Sequence, residues 1–349
     1  MYKTFDELKK DYQIRPARMD DAQEVADLFN RCSQEIIQKD EFEAGELTAG
    51  WESESLEMEK DTIMVRDHDT LIAYGDVWGV LPPYVRVNTW VRVHPAYKNR
   101  GIGWVLNQWT EARAREFTQK ADKHLQTFTV NYMNINDHAS IQLLTDLGAK
   151  PVRYSFVMEG ELPEEISVPV LPEKITIRKI DPAEYKKVYY LKEEAFEDHW
   201  GHIGTTVEEG IKEFESEHLQ DPNYDPDLWF AAEANGEMIG MIFGSKSTPF
   251  GPDYGWVSIL GVKREWRHRR IGKALMLHFF QIIKEKGSHK VGLSVDSDSL
   301  TGATQLYESV GLRVIEQYVR MEKILKDGID LRVRDLEPSK HDTSNQNGL

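Results

Sequence analysis

A single cysteine, Cys32, occurs among 349 residues. One thiol closes no internal disulfide, so packing alone must hold the fold, as in proteins of a reducing compartment. Long apolar runs are missing as well, and none approaches the roughly 20 residues that a bilayer-crossing helix needs. The opening stretch, MYKTFDELKKDYQIR, has no apolar segment of the secretory type. The expectation is a cytoplasmic protein with no membrane partner. Positive charge is in short supply: Lys and Arg number 43 against 59 Asp and Glu, a net charge of −16. That balance excludes the broad basic face of a nucleic-acid binder. No His, Cys, Asp or Glu set has metal-ligand spacing, so no metal is expected. Nor does a serine or cysteine nucleophile motif stand out.

The basic residues that are present gather at two places. Residues 255–284 read GWVSILGVKREWRHRRIGKALMLHFFQIIK, an apolar strand, a basic turn, and a helical pattern opening near Ile271. Residues 88–116 repeat the plan, with Gly101-Ile102-Gly103 leading into the helix. A strand that delivers a basic, amide-rich turn to a helix N-terminus is an anion-binding device. The first-turn N–H groups lack partners inside the helix, and the helix dipole adds positive potential there. The ligand implied is a phosphate or pyrophosphate.

The repetition extends beyond the turns. Arg15 matches Arg178, Gly148 matches Gly311 and Met158 matches Met321, each at an offset of 163 residues. Gly103 matches Gly272 at 169, so about six residues are inserted ahead of the second turn and recovered after it. The length also favours two cores over one. The expected units are a domain over 1–160, a Pro- and Glu-rich linker over 161–174, a second domain over 175–327 and a loose polar tail over 328–349. Within the first unit the pattern predicts a leading helix over Met1–Lys10. It also predicts paired strands at Thr62–Arg66 and Leu71–Val80 across an Asp67–Asp69 turn, and a helix from His138 closing at Gly148.

Both turns resemble the pyrophosphate loop of the GNAT superfamily (GCN5-related N-acetyltransferases), Gln/Arg-x-x-Gly-x-Gly/Ala after a strand. Lys98, Asn99, Arg100, Gly101, Ile102 and Gly103 fit in the first copy. Arg267, His268, Arg269, Arg270, Ile271 and Gly272, followed by Lys273, fit in the second, with Arg270 in place of the first glycine. The resemblance implies an α/β (α+β) fold of two tandem domains, each a mixed, mostly antiparallel sheet flanked by helices. It implies acetyl-CoA as co-substrate, its pyrophosphate on the turns. Its pantetheine arm would lie along splayed strand edges at Val91 to Val93 and Leu260, Gly261 and Val262.

The same resemblance offers a proton donor. The family pattern Asn-x-x-Ala-x-x-Leu-Tyr-x-x-x-Gly is matched by Ser299 to Gly311, and Tyr307 lands on the donor position. A phenol suits a general acid for a departing thiolate. The first half has Leu144 there, which donates nothing, so turnover is expected in the second half. The arrangement resembles the mycothiol synthase group of tandem members, whose base position on the signature strand is Trp256 here; that strand carries no acid. Asp198 and His199 are the base candidates, with Asp253 ahead of the strand a further option. The function expected is acetyl transfer to a primary amine of a small molecule, by a monomer or homodimer. The alternatives are a non-catalytic acyl-CoA-binding or regulatory protein, and an acetyltransferase acting on protein N-termini or lysines.

Overall fold

Alternating and fully apolar segments form twelve strands in the computed structural model, which describes residues 4–53, 56–78, 82–167, 171–221, 223–246, 251, 253–298 and 302–334. The first half supplies helix α1 (Phe5–Asp11), strand β1 (Gln13–Arg15), helices α2 (Ala22–Ile37), α3 (Ala44–Trp51) and α4 (Met58–Asp61), and strands β2 (Thr62–Asp67), β3 (Thr70–Trp78) and β4 (Arg86–Val93). Helix α5 (Ile102–Thr118), strand β5 (Thr127–Asn134), helix α6 (His138–Asp146) and strand β6 (Lys150–Glu161) complete it. The second half repeats the order: β7 (Ile175–Lys179), α7 (Tyr185–Phe196), α8 (Val207–Phe214), β8 (Trp229–Ala234), β9 (Glu237–Ser245), β10 (Tyr254–Val262), α9 (Ile271–Glu285), β11 (Lys290–Asp296), α10 (Ala303–Glu308) and β12 (Arg313–Lys326). The expected strand pair lies at β2 and β3, joined by a turn with His68 in the left-handed region (φ 52°). Helix α6 closes at Gly148 (φ 92°), where a side chain would be strained. Met1–Lys3, Gly79 and Val80 fall outside the described residues.

All twelve strands join one sheet, in the order β1-β2-β3-β4-β5-β12-β6-β11-β10-β9-β8-β7. The final strands of the two repeats have changed places. β6 lies against β11 of the second half, and β12 lies against β5 of the first. The centre of the sheet is the antiparallel β6–β12 pair. Ser155 faces its own counterpart, Tyr318, while Met158 faces Val314 and Pro151 faces Met321. Each of the last two pairs is the other's counterpart at the 163-residue offset, so a pseudo-two-fold axis runs through the Ser155–Tyr318 pair.

The cores follow the exchange. Met158 is fully buried among Leu275, Phe279, Ile283 and Leu293 of the second half. Met321 is fully buried beside Met133 and Leu144 of the first. Fully burying a side chain of this size is worth about 1.5–3 kcal/mol, so each half draws stability from a strand encoded by the other. A boundary drawn near residue 160 therefore marks the sequence repeat but not a break in packing. The segment after Lys326, expected to be loose, is docked as far as residue 334. Ile329 bridges to Leu125, and the Arg332 guanidinium, almost wholly buried, is held by Glu322, Asp330 and Gln126. Residues 335–349 lie outside the described residues. No described helix is long and apolar enough to cross a membrane.

Candidate active site

Each half opens its sheet at the same place. Strand β10 pairs in parallel with β11 only from Tyr254 to Val257, yet continues against β9 as far as Val262. Strand β4 pairs with β5 only from Arg86 to Asn88 and continues against β3 to Val93. Beyond those points the backbone groups on the β11 or β5 side have lost their ladder. In the second half the divergence coincides with a bulge at Ser258, between Val257 and Ile259. In the first half the β3–β4 register is unbroken.

The freed edges differ in occupancy. In the first half Asn131 Nδ2 donates to Thr89 O at 2.8 Å, Arg92 Nη1 to Val91 O at 3.2 Å and Cys32 Sγ to Val93 O at 3.4 Å. Three successive carbonyls of the open side are thus capped by the chain itself. In the second half, among the described residues, side-chain capping reaches only Val262 O, from Arg267 Nε at 3.2 Å. Leu260, half-buried on the same edge, has no side-chain cap on its backbone groups among the described residues.

The turns share one backbone. Asn99 and Gly101 are left-handed (φ 63° and 79°), as are His268 and Arg270 (φ 61° and 64°). Alternating left- and right-handed residues turn successive N–H groups into one concavity, which leads straight into the N-termini of α5 and α9. Arg270 therefore adopts the conformation that Gly101 adopts freely. The second glycine of each motif serves packing. A Cβ on Gly103 would stand 3.1 Å from Leu143, and one on Gly272 would stand 3.2 Å from Leu306, the matching leucine.

The leading basic residue of each turn is a brace. Arg267 donates to Asp198 (Nη1–Oδ2 2.8 Å), to Ala195 O (2.9 Å) and to Val262 O, using its whole guanidinium. Arg264 reaches the same carboxylate at 2.9 Å. Burial works against the ionised Asp198, but these hydrogen bonds prevail and hold its pKa at about 2. Asp198 thus takes up no proton near neutral pH, and of the two base candidates only His199 is suited to the role. Lys98 pairs with Glu35 in the first half at the matching positions. Arg267 and Lys98, expected as phosphate ligands, are thus engaged elsewhere. Arg269 and Arg100 remain on the turns, each folded over an aromatic ring, Trp266 at 4.7 Å and Tyr97 at 4.4 Å. Lys273 donates to Ser309 O at 3.1 Å.

His199 lies between two fixed neighbours. Asp198 is clamped, and the guanidinium groups of Arg153 (5.1 Å) and Arg320 (5.2 Å) from the exchanged strands both lie over the Trp200 ring. The imidazole packs edge-on against Phe196 at 4.4 Å, and burial lowers its pKa, so it is neutral at neutral pH. Tyr307 on α10 is 8% exposed within the second-half core, its phenol pKa pushed up to about 12 by burial. Leu144 occupies the matching place in the first half. Ser299 to Thr301, ahead of α10, lie outside the described residues. Asp253 precedes β10 at the end remote from Leu260. Sequence reasoning missed both braces. The signal was available, since Glu35 and Asp198 stand at the 163-residue offset and Lys98 and Arg267 at 169.

A sheet split beside an amide-rich turn defines the acyltransferase class to which these features point, and comparison agrees. Residues 185–312 match the acetyltransferase (GNAT) family model. An acetyltransferase of Pectobacterium atrosepticum is 30% identical over 107 residues, covering 30% of this chain and 71% of that protein. A mycothiol acetyltransferase of Thermobispora bispora is 27% identical over 224 residues, covering 63% of this chain and 70% of that protein. Among solved structures, a GCN5-related N-acetyltransferase from Sphaerobacter thermophilus superposes with TM-score 0.77 at 29% identity, covering 92% of this chain and 98% of that one. A tandem GNAT protein from the clavulanic acid biosynthesis pathway superposes at 0.69 with 15% identity, covering 91% of this chain and 100% of that one, a likeness of fold. The chain belongs to the GNAT acetyltransferase family, as a tandem member similar to the mycothiol acetyltransferases. It is an acyltransferase. Among the described residues no group of His, Cys, Asp and Glu could hold a metal ion.

Proposed function

We propose that the protein transfers an acetyl group from acetyl-CoA to the primary amine of a small molecule, by direct attack, with turnover in the second half. The observation that carries this reading is the uncapped edge of β10 at Leu260 beside the turn 267–273. The residues suit the co-substrate. Turn amides and the N-terminus of α9 fit a pyrophosphate, and Leu260 to Val262 fit the amides of the pantetheine arm as an added strand would. Acetyl-CoA supplies the activated acyl group.

The chain's own residues supply three things. A backbone N–H of the freed β10 edge polarises the thioester carbonyl. His199, neutral, accepts the proton that the amine must lose before it attacks. Tyr307 donates a proton to the departing thiolate, and its raised pKa keeps it protonated until then. The mycothiol acetyltransferase relatives favour a small-molecule acceptor, while the acid-free strand around Trp256 favours an acceptor of a different kind from theirs.

The test is acetyl-CoA-dependent release of CoA thiol across a panel of amines, with the intact protein and with Tyr307→Phe. Release that requires one amine class and falls about a hundredfold in the variant is the expected result. Acetyl-CoA binding without release from any amine would replace this reading with that of a binding protein.

A further inference from the structure

The first half carries a solvent-open concavity of about 480 Å³ between α2 and the end of β4, lined by Asp27, Asn30, Arg31, Gln34, Asp40, His94 and Pro95. At its wall Arg31 Nη1 stands 3.3 Å from His94 Nε2. The Nδ1 of His94 accepts the Ala96 N–H at 3.1 Å, capping the short turn Pro95–Tyr97. A neutral imidazole has one N–H, so Nδ1 as acceptor leaves that proton on Nε2. Burial and the Arg31 charge both lower the pKa of His94, which keeps the ring neutral near pH 7. Two donors therefore face each other, and Arg31 forms no ion pair among the described residues.

The second half shows a charge-matched version of the same pair. The counterparts of Arg31 and His94 are Glu194 and Lys263, which pair at 3.0 Å, and Lys263 also reaches Glu237 at 2.6 Å. There the charges complement each other. In the first half the carboxylate has become a guanidinium, and the facing pair is short of an acceptor. The carboxylates at the rim are engaged by neighbouring amides: Gln23 Nε2 donates to Asp27 at 2.9 Å and Gln34 Nε2 to Asp40 at 2.8 Å. They repel an anion that lacks donors of its own, and they accept from amine or hydroxyl groups carried by one that has them.

We propose that this concavity binds the anionic group of a small molecule, a phosphate or carboxylate whose oxygens sit between Arg31 and His94 while its donor groups face Asp27 and Asp40. The site is separate from the turn amides of 99–103 and from the second-half chemistry. The anion has two sources to choose between, a free metabolite or the 3′-phosphate of a CoA held on the neighbouring turn.

The experiment titrates the full-length protein with inorganic phosphate, with glycolate (a carboxylate that carries a hydroxyl donor), and with CoA against 3′-dephospho-CoA, by calorimetry. The key variant, Arg31→Glu with His94→Lys, writes the second half's ion pair into the first. Saturable binding of phosphate or glycolate, weakened about tenfold or more in that variant, is the expected result. A preference for CoA over 3′-dephospho-CoA that vanishes in the variant assigns the anion to the cofactor; equal affinities with retained phosphate binding assign a free metabolite. No saturable response to either small anion, or affinities unchanged in the variant, overturns the proposal. Should the double variant fail to fold, Arg31→Gln gives the same reading.

Discussion

The two halves agree in almost everything that shapes the turn and differ in what surrounds it. Both diverge from the neighbouring strand at matching residues, both place left-handed residues at the same two turn positions, and both brace the leading basic side chain against a carboxylate, Glu35 on α2 and Asp198 just beyond α7. Yet the first half caps three carbonyls on its open edge, lacks the bulge, and puts Leu144 where the second half has Tyr307. The loop geometry is thus a property of the scaffold that persists whether or not the edge is open for a ligand. What differs between the halves is the strand edge, capped by Asn131, Arg92 and Cys32 in the first, and the α10 or α6 side chain, and the proposed function rests on both.

The brace offers the largest contrast. In the second half the Asp198 side chain is 5% exposed and Arg267 17%, whereas Glu35 and Lys98 are 45% and 32% exposed. Asp198→Asn leaves the largely buried Arg267 guanidinium facing a neutral amide, with the more exposed Arg264 beside it, a loss of about 3 kcal/mol. Glu35→Gln breaks a solvated pair worth under about 1 kcal/mol. Urea unfolding of the two variants checks the pair of figures, and equal losses would show that the braces are equivalent after all.

The proposed base gives the next contrast, in pH. Burial lowers the His199 pKa, so the acid limb of kcat/KM should lie below the ordinary histidine value of about 6.5. His199→Gln should lower the rate and flatten that acid limb. A limb unchanged in the variant would remove His199 from the chemistry.

Stability should follow pH through a different histidine. His218, packed among Phe214, Trp229 and Phe243 in the second half, has its pKa pushed down to about 4 by burial. A depressed folded pKa means that the unfolded chain binds the proton first. The stabilisation is whole above about 6.5 and is lost as pH falls towards 4, at up to about 1.4 kcal/mol per pH unit. Denaturation midpoints between pH 7 and pH 4 check the slope, and His218→Phe should reduce it.

Much of this was legible in the sequence, for identifiable reasons. Turns and helix starts depend on neighbouring residues, so the two loops, the duplication and the family could be read from local spacing. The exchange of β6 and β12 could not, because a repeat at an offset of 163 residues is the same whether each strand stays at home or crosses over. The brace was hidden by chemistry: Arg267 is the residue type that either a phosphate or a buried carboxylate would select, and its partner lies 69 residues away. The docking of residues 327–334 rests on Arg332 meeting Glu322 and Gln126, and a polar composition gives no sign of that.

The smallest expected effect tests how far the two turns are interchangeable. Gly101 and Arg270 hold the same left-handed conformation, which costs a residue bearing a Cβ roughly 1–2 kcal/mol and a glycine nothing. Gly101→Ala should therefore destabilise the protein by about 1 kcal/mol. Arg270→Gly relieves that strain but gives the unfolded chain more freedom, an opposing effect of about 0.4–1 kcal/mol, so it should stabilise the protein slightly, by under about 1.5 kcal/mol. Thermal melts of the two variants decide the matter. A clear loss from Arg270→Gly would mean that the arginine earns its place through contacts of its own, and that the departure from glycine in the second turn is a feature of that site and not a tolerated substitution.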